Sequence, residues 1–256
     1  MPRIPRTLVA TLLVALLASP LAGIDAAGAA APKRLTILVT NDDGVAAPGI
    51  DLLVQRLRRL KNVKVVVVAP AENKSGSGDQ TTPGELTVTP ETTASGIKAR
   101  AVDGFPADTV IWALDHGVKP DLVVSGINQG QNIGPAIDLS GTVGAAKTAV
   151  RDGIPALAVS QGIADSPDYA SGAQLAIDWV KEHRRELTGK RPDVELANLN
   201  IPTCATGEVR GVVDVPPATA GDVLAPSNCE STLTDPTDDV QAFTNGYATL
   251  SIVPVA

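Results

Sequence analysis

The chain has 256 residues, of which 44% are hydrophobic and 19% charged, and this composition excludes a wholly disordered or collagen-like protein. Its formal net charge of -7 and its few aromatic residues (two each of Trp, Tyr and Phe) argue against a nucleic-acid-binding surface, which needs basic stripes or stacking platforms. Two histidines are too few for a multi-histidine metal centre, so an anionic substrate would have to be attracted by a metal ion of another kind or by helix N-termini.

The first 31 residues have the features of a secretory signal peptide. Arg3 and Arg6 give a positive start, residues 7–17 are an almost unbroken apolar stretch, and Ala27-Gly28-Ala29 has the pattern of a cleavage site. We expect cleavage near Ala29–Ala31 and a secreted or periplasmic protein with no stable membrane anchor. The alternatives are an uncleaved N-terminal anchor or a buried helix, but the apolar run is short for a membrane span, which needs about 20 residues.

From residue 35 onward, strand patterns and helix patterns alternate. Short β-branched apolar runs predict buried strands, and apolar residues at helical spacing predict amphipathic helices. The predicted strands are 35–40, 63–69, 121–124 and 156–160, and the predicted helices are 50–60, 108–118, 140–151 and 168–187. This alternation predicts an α/β fold with a doubly wound, mostly parallel sheet.

Two segments depart from that alternation. Residues 71–100 are polar and glycine-rich, which predicts a loop or hairpin. After about residue 200 the chain is rich in Pro and Gly, and its short alternating stretches (208–215 and 247–253) predict hairpins or an extended arm. With no internal repeat and no clear linker, we expect residues 32–256 to form a single domain.

The two cysteines, Cys204 and Cys229, are 25 positions apart and lie outside any C-x-x-C motif. In an oxidising compartment, which the signal peptide predicts, they are expected to form a disulfide that closes a loop rich in Pro and Gly. The alternative is two separate thiols.

Polar segments directly follow the first three predicted strands. These are residues 41–44 (N-D-D-G), residues 72–78 (E-N-K-S-G-S-G) and residues 125–132, which continue to Ser140-Gly141-Thr142. In an open parallel sheet, ligands bind beyond the carboxyl ends of the strands. The three segments are therefore expected to converge at one edge of the sheet.

The adjacent carboxylates Asp42 and Asp43 repel each other unless a cation or hydrogen-bond donors neutralise them. Oxygen ligands from Asp, Asn and Ser suit a hard cation, Mg²⁺ or Mn²⁺ with Ca²⁺ as a further occupant, rather than zinc. The alternative is an Asx turn in which Asp43-Gly44 supplies the bend. The convergence of three polar strand ends favours the metal site.

Ser140-Gly141-Thr142 precedes a predicted helix, so its backbone N–H groups and the helix dipole can form an anion site. The alternative is a simple helix cap. A phosphate at this helix end, beside a divalent ion, would be a coherent site for phosphoryl transfer.

Four motifs together resemble the SurE family, the survival protein E nucleotidases and acid phosphatases. They are I-L-V-T-N-D-D-G (37–44), A-P-x-x-N-K-S-G-S-G (69–78), S-G-I-N-Q-G-Q-N-I-G (125–134) and S-G-T-V-G-A-A (140–146). Shorter matches include P-A-D-T-V (106–110), I-P-A-L-A-V-S (154–160), N-L-N-I-P (198–202) and G-Y-A-T-L-S-I-V-P (246–254). The resemblance covers residues 35–255 in order.

The resemblance implies a Rossmann-like core that carries a metal-dependent phosphomonoesterase site for nucleoside 5′- and 3′-monophosphates. By the same resemblance, one divalent cation is bound by Asp42, Asp43, Ser75 and Asn128. The phosphate contacts map onto Asn132, Ser140, Gly141 and Thr142, with Asn41 beside the metal. Family members form dimers or tetramers by exchanging C-terminal segments, so we expect a homodimer or homotetramer, with about residues 200–256 as the oligomerisation arm.

Two residues depart from the family pattern near the expected site. Leu139 stands where a Tyr usually precedes S-G-T, and Phe105 replaces the Thr of the usual G-T-P-A-D. Both are expected to alter the pocket or its packing, so the preference for one base over another cannot be taken from the family.

These residues predict hydrolysis of a phosphomonoester by metal-activated water, with Asp42 as general base or as nucleophile. One rival is a serine hydrolase that uses Ser160, because A-V-S-Q-G (158–162) resembles a nucleophile elbow. The only later histidine, His183, lies in a predicted surface helix and completes no triad. A second rival is a secreted module that binds a nucleotide or phosphate without turnover.

Overall fold

Short runs of apolar, often β-branched residues form the central strands. The computed structural model describes residues 33–255, and in that range it shows nine strands: β1 (Leu35–Thr40), β2 (Val63–Pro70), β3 (Thr87–Thr92), β4 (Lys98–Asp103), β5 (Leu122–Gln129), β6 (Ala156–Gln161), β7 (Leu196–Ile201), β8 (Val212–Asp214) and β9 (Ala248–Val253). Every residue of β6 and β7 is buried. This is expected of strands that are covered by other elements on both faces.

The nine strands form one sheet in the order β3-β4-β2-β1-β5-β6-β7-β9-β8. Strand β1 pairs in parallel with β2 on one side and with β5 on the other. Because the chain winds away from β1 in both directions, the predicted doubly wound, mostly parallel α/β sheet is confirmed. The switch point of this topology lies between the carboxyl ends of β1 and β5, where open α/β sheets bind their ligands.

Helices cover both faces of the sheet. In the described range the α-helices are α1 (Pro48–Leu57), α2 (Pro106–Asp115), α3 (Gly141–Arg151), α4 (Tyr169–Leu187) and α5 (Asp239–Thr244). Helices α1 and α4 pack together over one apolar core, and α2 and α3 pack together over another. Proline in the first turn begins α1 and α2, whereas side-chain caps begin α3 and α4, as helix N-termini favour.

The predicted strands and helices are present, with ends that differ by a few residues. The largest difference is β5, which continues to Gln129 because its parallel pairing with β6 resumes after a bulge between Ser125 and Asn128. The segment predicted as a loop or hairpin contains the antiparallel pair β3–β4. Strand β7 was not among the predicted elements, since Asn198 and Asn200 interrupt its apolar run.

The tail after residue 200 returns to the sheet. Strand β9 pairs antiparallel with β7 and parallel with β8, so the two stretches predicted as hairpins do not pair with each other as a hairpin. Cys204 and Cys229 form the expected disulfide, with their Cα atoms 5.8 Å apart. Lys33–Ala256 forms one compact unit.

The predicted signal peptide, residues 1–31, lies outside the described residues. Among the helices of residues 33–255, none has the length and apolar character needed to cross a membrane.

Candidate active site

The carboxyl end of β1 meets the first turn of α3. Thr142 Oγ1 donates a hydrogen bond of 2.6 Å to Asp42 Oδ1, and both residues are buried, with Asp42 only 2% exposed. A Cβ atom on Gly141 would lie 2.9 Å from the Cβ of Asp42 and 2.7 Å from Ser77 Oγ. Position 141 therefore requires glycine for this contact. The structure brings three of the predicted residues, Asp42, Gly141 and Thr142, into one cluster.

The first turn of α3 stabilises the ionised form of Asp42. Burial raises the pKa of Asp42 above its usual value, and this effect is opposed by hydrogen bonding from the Thr142 side chain and from the backbone N–H groups of Thr142, Asp42 and Gly141. Ser140 caps the same helix, because its Oγ accepts a hydrogen bond of 3.1 Å from the N–H of Val143. The hydrogen-bond donors in the first turn of α3 thus bind acceptors inside the protein. Contact between this turn and a substrate phosphate stays a prediction.

Asp43 lies at the junction of β1 and β5. Its Oδ2 accepts a hydrogen bond of 3.0 Å from the backbone N–H of Gln129, the residue after Asn128. Burial and the neighbouring charge of Asp42 raise the pKa of Asp43 to about 6, against the opposing effect of the Gln129 N–H. The charge of Asp42 thus disfavours ionisation of Asp43, and a cation beside the pair would offset this repulsion.

The loop after β2 approaches the same place. The backbone N–H of Lys74 donates a hydrogen bond of 2.7 Å to the carbonyl oxygen of Asp42, which fixes this loop against the end of β1. Ser75 is exposed, and its N–H donates to Asn73 Oδ1 at 2.9 Å in an Asx turn. Ser75 therefore follows Lys74, the residue whose backbone contacts Asp42 directly.

Asn128 supplies the fourth predicted metal ligand from the end of β5. It is 7% exposed, and its amide nitrogen donates a hydrogen bond of 2.6 Å to the carbonyl oxygen of Gly130. That bond orients the side chain and leaves its amide oxygen as the donor atom for a cation. No group of three or more His, Cys, Asp and Glu able to hold a metal occurs in residues 33–255. Any ion here would rely on two carboxylates with neutral oxygens, a set that suits Mg²⁺ or Mn²⁺.

Asn132 is held by the neighbouring strands β6 and β7. Its backbone N–H donates to Asn200 Oδ1 at 2.6 Å, and its carbonyl oxygen accepts from Asn198 Nδ2 at 2.8 Å and from Asn200 Nδ2 at 3.2 Å. Its own side-chain nitrogen donates to Ser160 Oγ at 2.8 Å. Asn198, Asn200 and Ser160 are fully buried, so this arrangement fixes the loop after β5 rigidly against the sheet.

This arrangement contradicts the serine hydrolase interpretation. Ser160 has no exposed surface, and its hydroxyl oxygen accepts a hydrogen bond from the Asn132 amide, with no histidine beside it to accept its proton. Both histidines of the chain lie elsewhere: His116 stacks on Trp112 and His183 stacks on Trp179. A nucleophilic serine needs an adjacent base in order to be activated. Ser160 therefore serves to position Asn132, and His183 lies half-buried on helix α4.

Asn41 and the two residues that depart from the family pattern lie around this centre. Asn41 is fully buried, and its amide closes the turn by donating to the carbonyl oxygen of Gly44 at 2.9 Å, so it shapes the loop that presents Asp42. Leu139 is 67% exposed, and its carbonyl oxygen accepts from the N–H of Gly78. Phe105 provides no side-chain cap to α2.

Three residues of this region were absent from the sequence-based prediction. Asn198 and Asn200 hold Asn132, and an amide side chain within an otherwise apolar buried strand is the sequence signal that marks them. Tyr169 begins α4, and burial together with the charge of Asp43 raises its pKa to about 12. No local sequence pattern indicates that Asp43 acts on this residue.

The fold and this centre define a Rossmann-like α/β protein with an oxygen-rich, acidic site at the switch point of its sheet. The family model described as "Survival protein SurE" matches residues 37–220. The chain therefore belongs to the SurE family, as the four sequence motifs indicate.

The chain is also similar to individual members of that family. It is 40% identical to "5'-nucleotidase SurE" of Methanocella arvoryzae over 189 residues, which are 69% of this chain and 70% of that protein. It is 40% identical to "5'-nucleotidase SurE" of Brevibacillus brevis over 188 residues, 70% and 71% of the two chains. The crystal structure of the SurE protein from Aquifex aeolicus superimposes with a TM-score of 0.68 at 29% identity and covers 85% of this chain and 92% of that one.

Proposed function

We propose that this protein hydrolyses phosphomonoesters with the help of a divalent cation and that its substrates are nucleoside 5′- or 3′-monophosphates. The observation that carries the proposal is the contact between the end of β1 and the start of α3, where Thr142 holds the buried carboxylate of Asp42 beside Asp43. The names of its relatives, 5'-nucleotidase, give the reaction class.

The residues present fit a single Mg²⁺ or Mn²⁺. Asp43, whose pKa is raised to about 6 by burial and by Asp42, is a carboxylate that a nearby cation would stabilise. Asp42, Asp43, Ser75 and Asn128 would hold the ion through oxygen atoms. When bound, such an ion polarises phosphoryl oxygens and lowers the pKa of a bound water.

The chain itself supplies a base and a way to orient the phosphate. The Asp42 carboxylate is the base that takes the proton from the attacking water, and the Thr142 hydroxyl fixes its orientation through Oδ1. Asn132 has a second amide hydrogen besides the one it donates to Ser160, and this hydrogen would donate to a phosphate oxygen. The positive end of the α3 dipole stabilises the ionised form of the Asp42 carboxylate.

Phosphate release from a panel of nucleoside monophosphates and p-nitrophenyl phosphate tests this proposal. We expect turnover with Mg²⁺ or Mn²⁺, loss of turnover in EDTA, and at least a hundredfold lower kcat in Asp42→Asn. Asp51→Asn is the matched control, because Asp51 is also a buried aspartate but is hydrogen-bonded to Thr93 and Ser95, away from the site. Nucleotide binding without phosphate release by the wild-type protein would instead identify a binding module, and unchanged turnover in Asp42→Asn would remove Asp42 from the mechanism.

We also infer that residues 1–31 direct export and that the mature protein is secreted or periplasmic. The disulfide between Cys204 and Cys229 supports this, because such bonds persist mainly in oxidising compartments. Mass spectrometry of the protein purified from a periplasmic fraction is expected to show a chain that begins near Ala29–Ala31. Recovery of the intact 256-residue chain in the cytoplasm would contradict the inference.

A further inference from the structure

A cavity of about 430 Å³ opens beside the candidate active site, at the same edge of the sheet. The ends of three neighbouring strands contribute to it: Gln131 follows β5, Gly162 follows β6 and Thr203 follows β7. Residues 224–227, from the tail, form the opposite wall. The volume is in the range of small-molecule sites, about 300–1,000 Å³.

Two cross-links hold the walls of this cavity in place. The amide of Gln131 joins them by hydrogen bonds, because its Nε2 donates to the carbonyl oxygen of Val223 at 2.7 Å and its Oε1 accepts from the N–H of Ile163 at 3.1 Å. The disulfide between Cys204 and Cys229 ties the tail to the residues after β7. The cavity is therefore preformed, and little ordering has to accompany binding.

Two of the residues that line the cavity, Gln131 and Ile163, lie next to predicted site residues. Gln131 is the chain neighbour of Asn132, whose amide is directed to phosphate under the proposed function. A Cβ atom on Gly130 would lie 3.3 Å from Ile163 Cγ1 and 3.8 Å from Asn128 Nδ2, so Ile163 and Asn128 flank the same glycine. The wall of the cavity therefore adjoins Asn128, one of the predicted metal ligands.

The lining of the cavity determines what it accepts. It contains no charged residue, which does not favour a second phosphate or a sugar acid. Ile163 is 60% exposed and Leu224 is 71% exposed, so two large apolar side chains face solvent at this cavity instead of packing in the core. Ser166 and Ser227 add hydroxyl groups that can donate and accept hydrogen bonds.

We propose that this cavity binds the base of a nucleoside monophosphate, with the ring against Ile163 and Leu224 and its edge near the serine hydroxyls. The proposal rests on the proposed function, because the hydrolysed phosphate is taken to sit at Asn132. The cavity proposal adds that the protein recognises the nucleoside, which is the leaving group of the reaction. It also assigns the tail and its disulfide to the site that recognises the nucleoside.

Binding of adenosine, which has no phosphate, tests the cavity without requiring turnover. We expect saturable binding of adenosine to the wild-type protein by calorimetry and at least tenfold weaker binding in Ala225→Trp, whose indole fills the cavity. The matched control is Ala94→Trp, since Ala94 is exposed in the β3–β4 connection, outside the cavity lining. No adenosine binding by the wild type, or equal binding by all three proteins, would overturn the proposal.

Turnover separates this proposal from the proposed function. The ratio of kcat/KM for AMP to kcat/KM for ribose 5-phosphate, which lacks the base, is expected to fall at least tenfold in Ala225→Trp and to stay constant in Ala94→Trp. A ratio that does not change in Ala225→Trp overturns the cavity proposal while hydrolysis itself stands. If the wild type hydrolyses neither compound, the proposed function fails and adenosine binding alone decides the cavity.

Discussion

Replacing Thr142 by Val removes the hydroxyl that holds Asp42 and keeps the shape of the side chain. The bond that is lost is short, 2.6 Å, fully buried, and accepted by a carboxylate. Hydrogen bonds to charged groups contribute about 1.5–3 kcal/mol, and the carboxylate left behind stays buried with only backbone donors. We therefore expect the free energy of unfolding to fall by about 1.5–3 kcal/mol. If the same bond positions Asp42 for proton transfer, kcat/KM should fall by about one to two powers of ten, at about 1.4 kcal/mol for each.

Urea unfolding in EDTA measures the change in the free energy of unfolding. Phosphate release from AMP at saturating Mg²⁺ measures the change in kcat/KM. Thr148→Val is the control, because Thr148 lies on the same helix and donates at 3.0 Å to the backbone carbonyl of Gly144, a neutral acceptor. The control should lose about 1 kcal/mol of stability and no activity. Thr142→Ser, which restores the hydroxyl, should recover most of the activity. Equal activity in Thr142→Val and Thr148→Val would refute the positioning role of this bond.

Two further predictions concern stability away from the site. Burial would raise the pKa of Asp51, but hydrogen bonds from Ser95, Thr93 and Gln55 outweigh burial and lower it. Its contribution is therefore present above the unfolded-state pKa of about 3.9 and is lost as pH falls through the lower folded-state value. Asp51→Asn should accordingly lower the urea midpoint at pH 7 and flatten its decline in acid, and an unchanged slope would contradict this assignment. Replacing both Cys204 and Cys229 by Ser should cost about 3.5 kcal/mol, the chain entropy that a 25-residue loop regains in the unfolded state, and a loss below 1 kcal/mol would contradict this entropic account.

The central sheet could be predicted because its signals are local. Strand β1 begins and ends at the predicted residues, since an apolar run of six that is followed by N-D-D-G has only one plausible boundary. Helix α3 likewise begins one residue after its predicted start, because Ser140 is a cap rather than the first helical residue. The convergence of the polar loops at one edge of the sheet could be predicted from the alternation of strands and helices alone, because that alternation implies parallel strands.

The parts that were missed depend on contacts between distant residues. Strand β7 is buried, yet its two asparagines are residues typical of loops. Their side chains form hydrogen bonds with Asn132, which is 68 positions away from Asn200 in the sequence. The tail was expected to form hairpins or an extended arm because Pro and Gly are frequent there. Strand β9 instead pairs with β7 through backbone hydrogen bonds that no residue type specifies. Burial of polar side chains is decided by their partners, and a single sequence does not show which residues those are.

The direction of the α3 N-terminus changes how an acidic protein can handle phosphate. From sequence, the free N–H groups of this helix were the expected anion site, yet Gly141 and Thr142 direct theirs at Asp42. These N–H groups therefore act mainly on the Asp42 carboxylate. A phosphate that approaches this edge of the sheet would also encounter the negative charge of Asp43. We infer that attraction of the substrate would depend on a cation held by these carboxylates, while the first turn of α3 stabilises the ionised form of Asp42 against the burial that raises its pKa. The electrostatics of the site therefore support the proposed metal dependence, in addition to its ligand set.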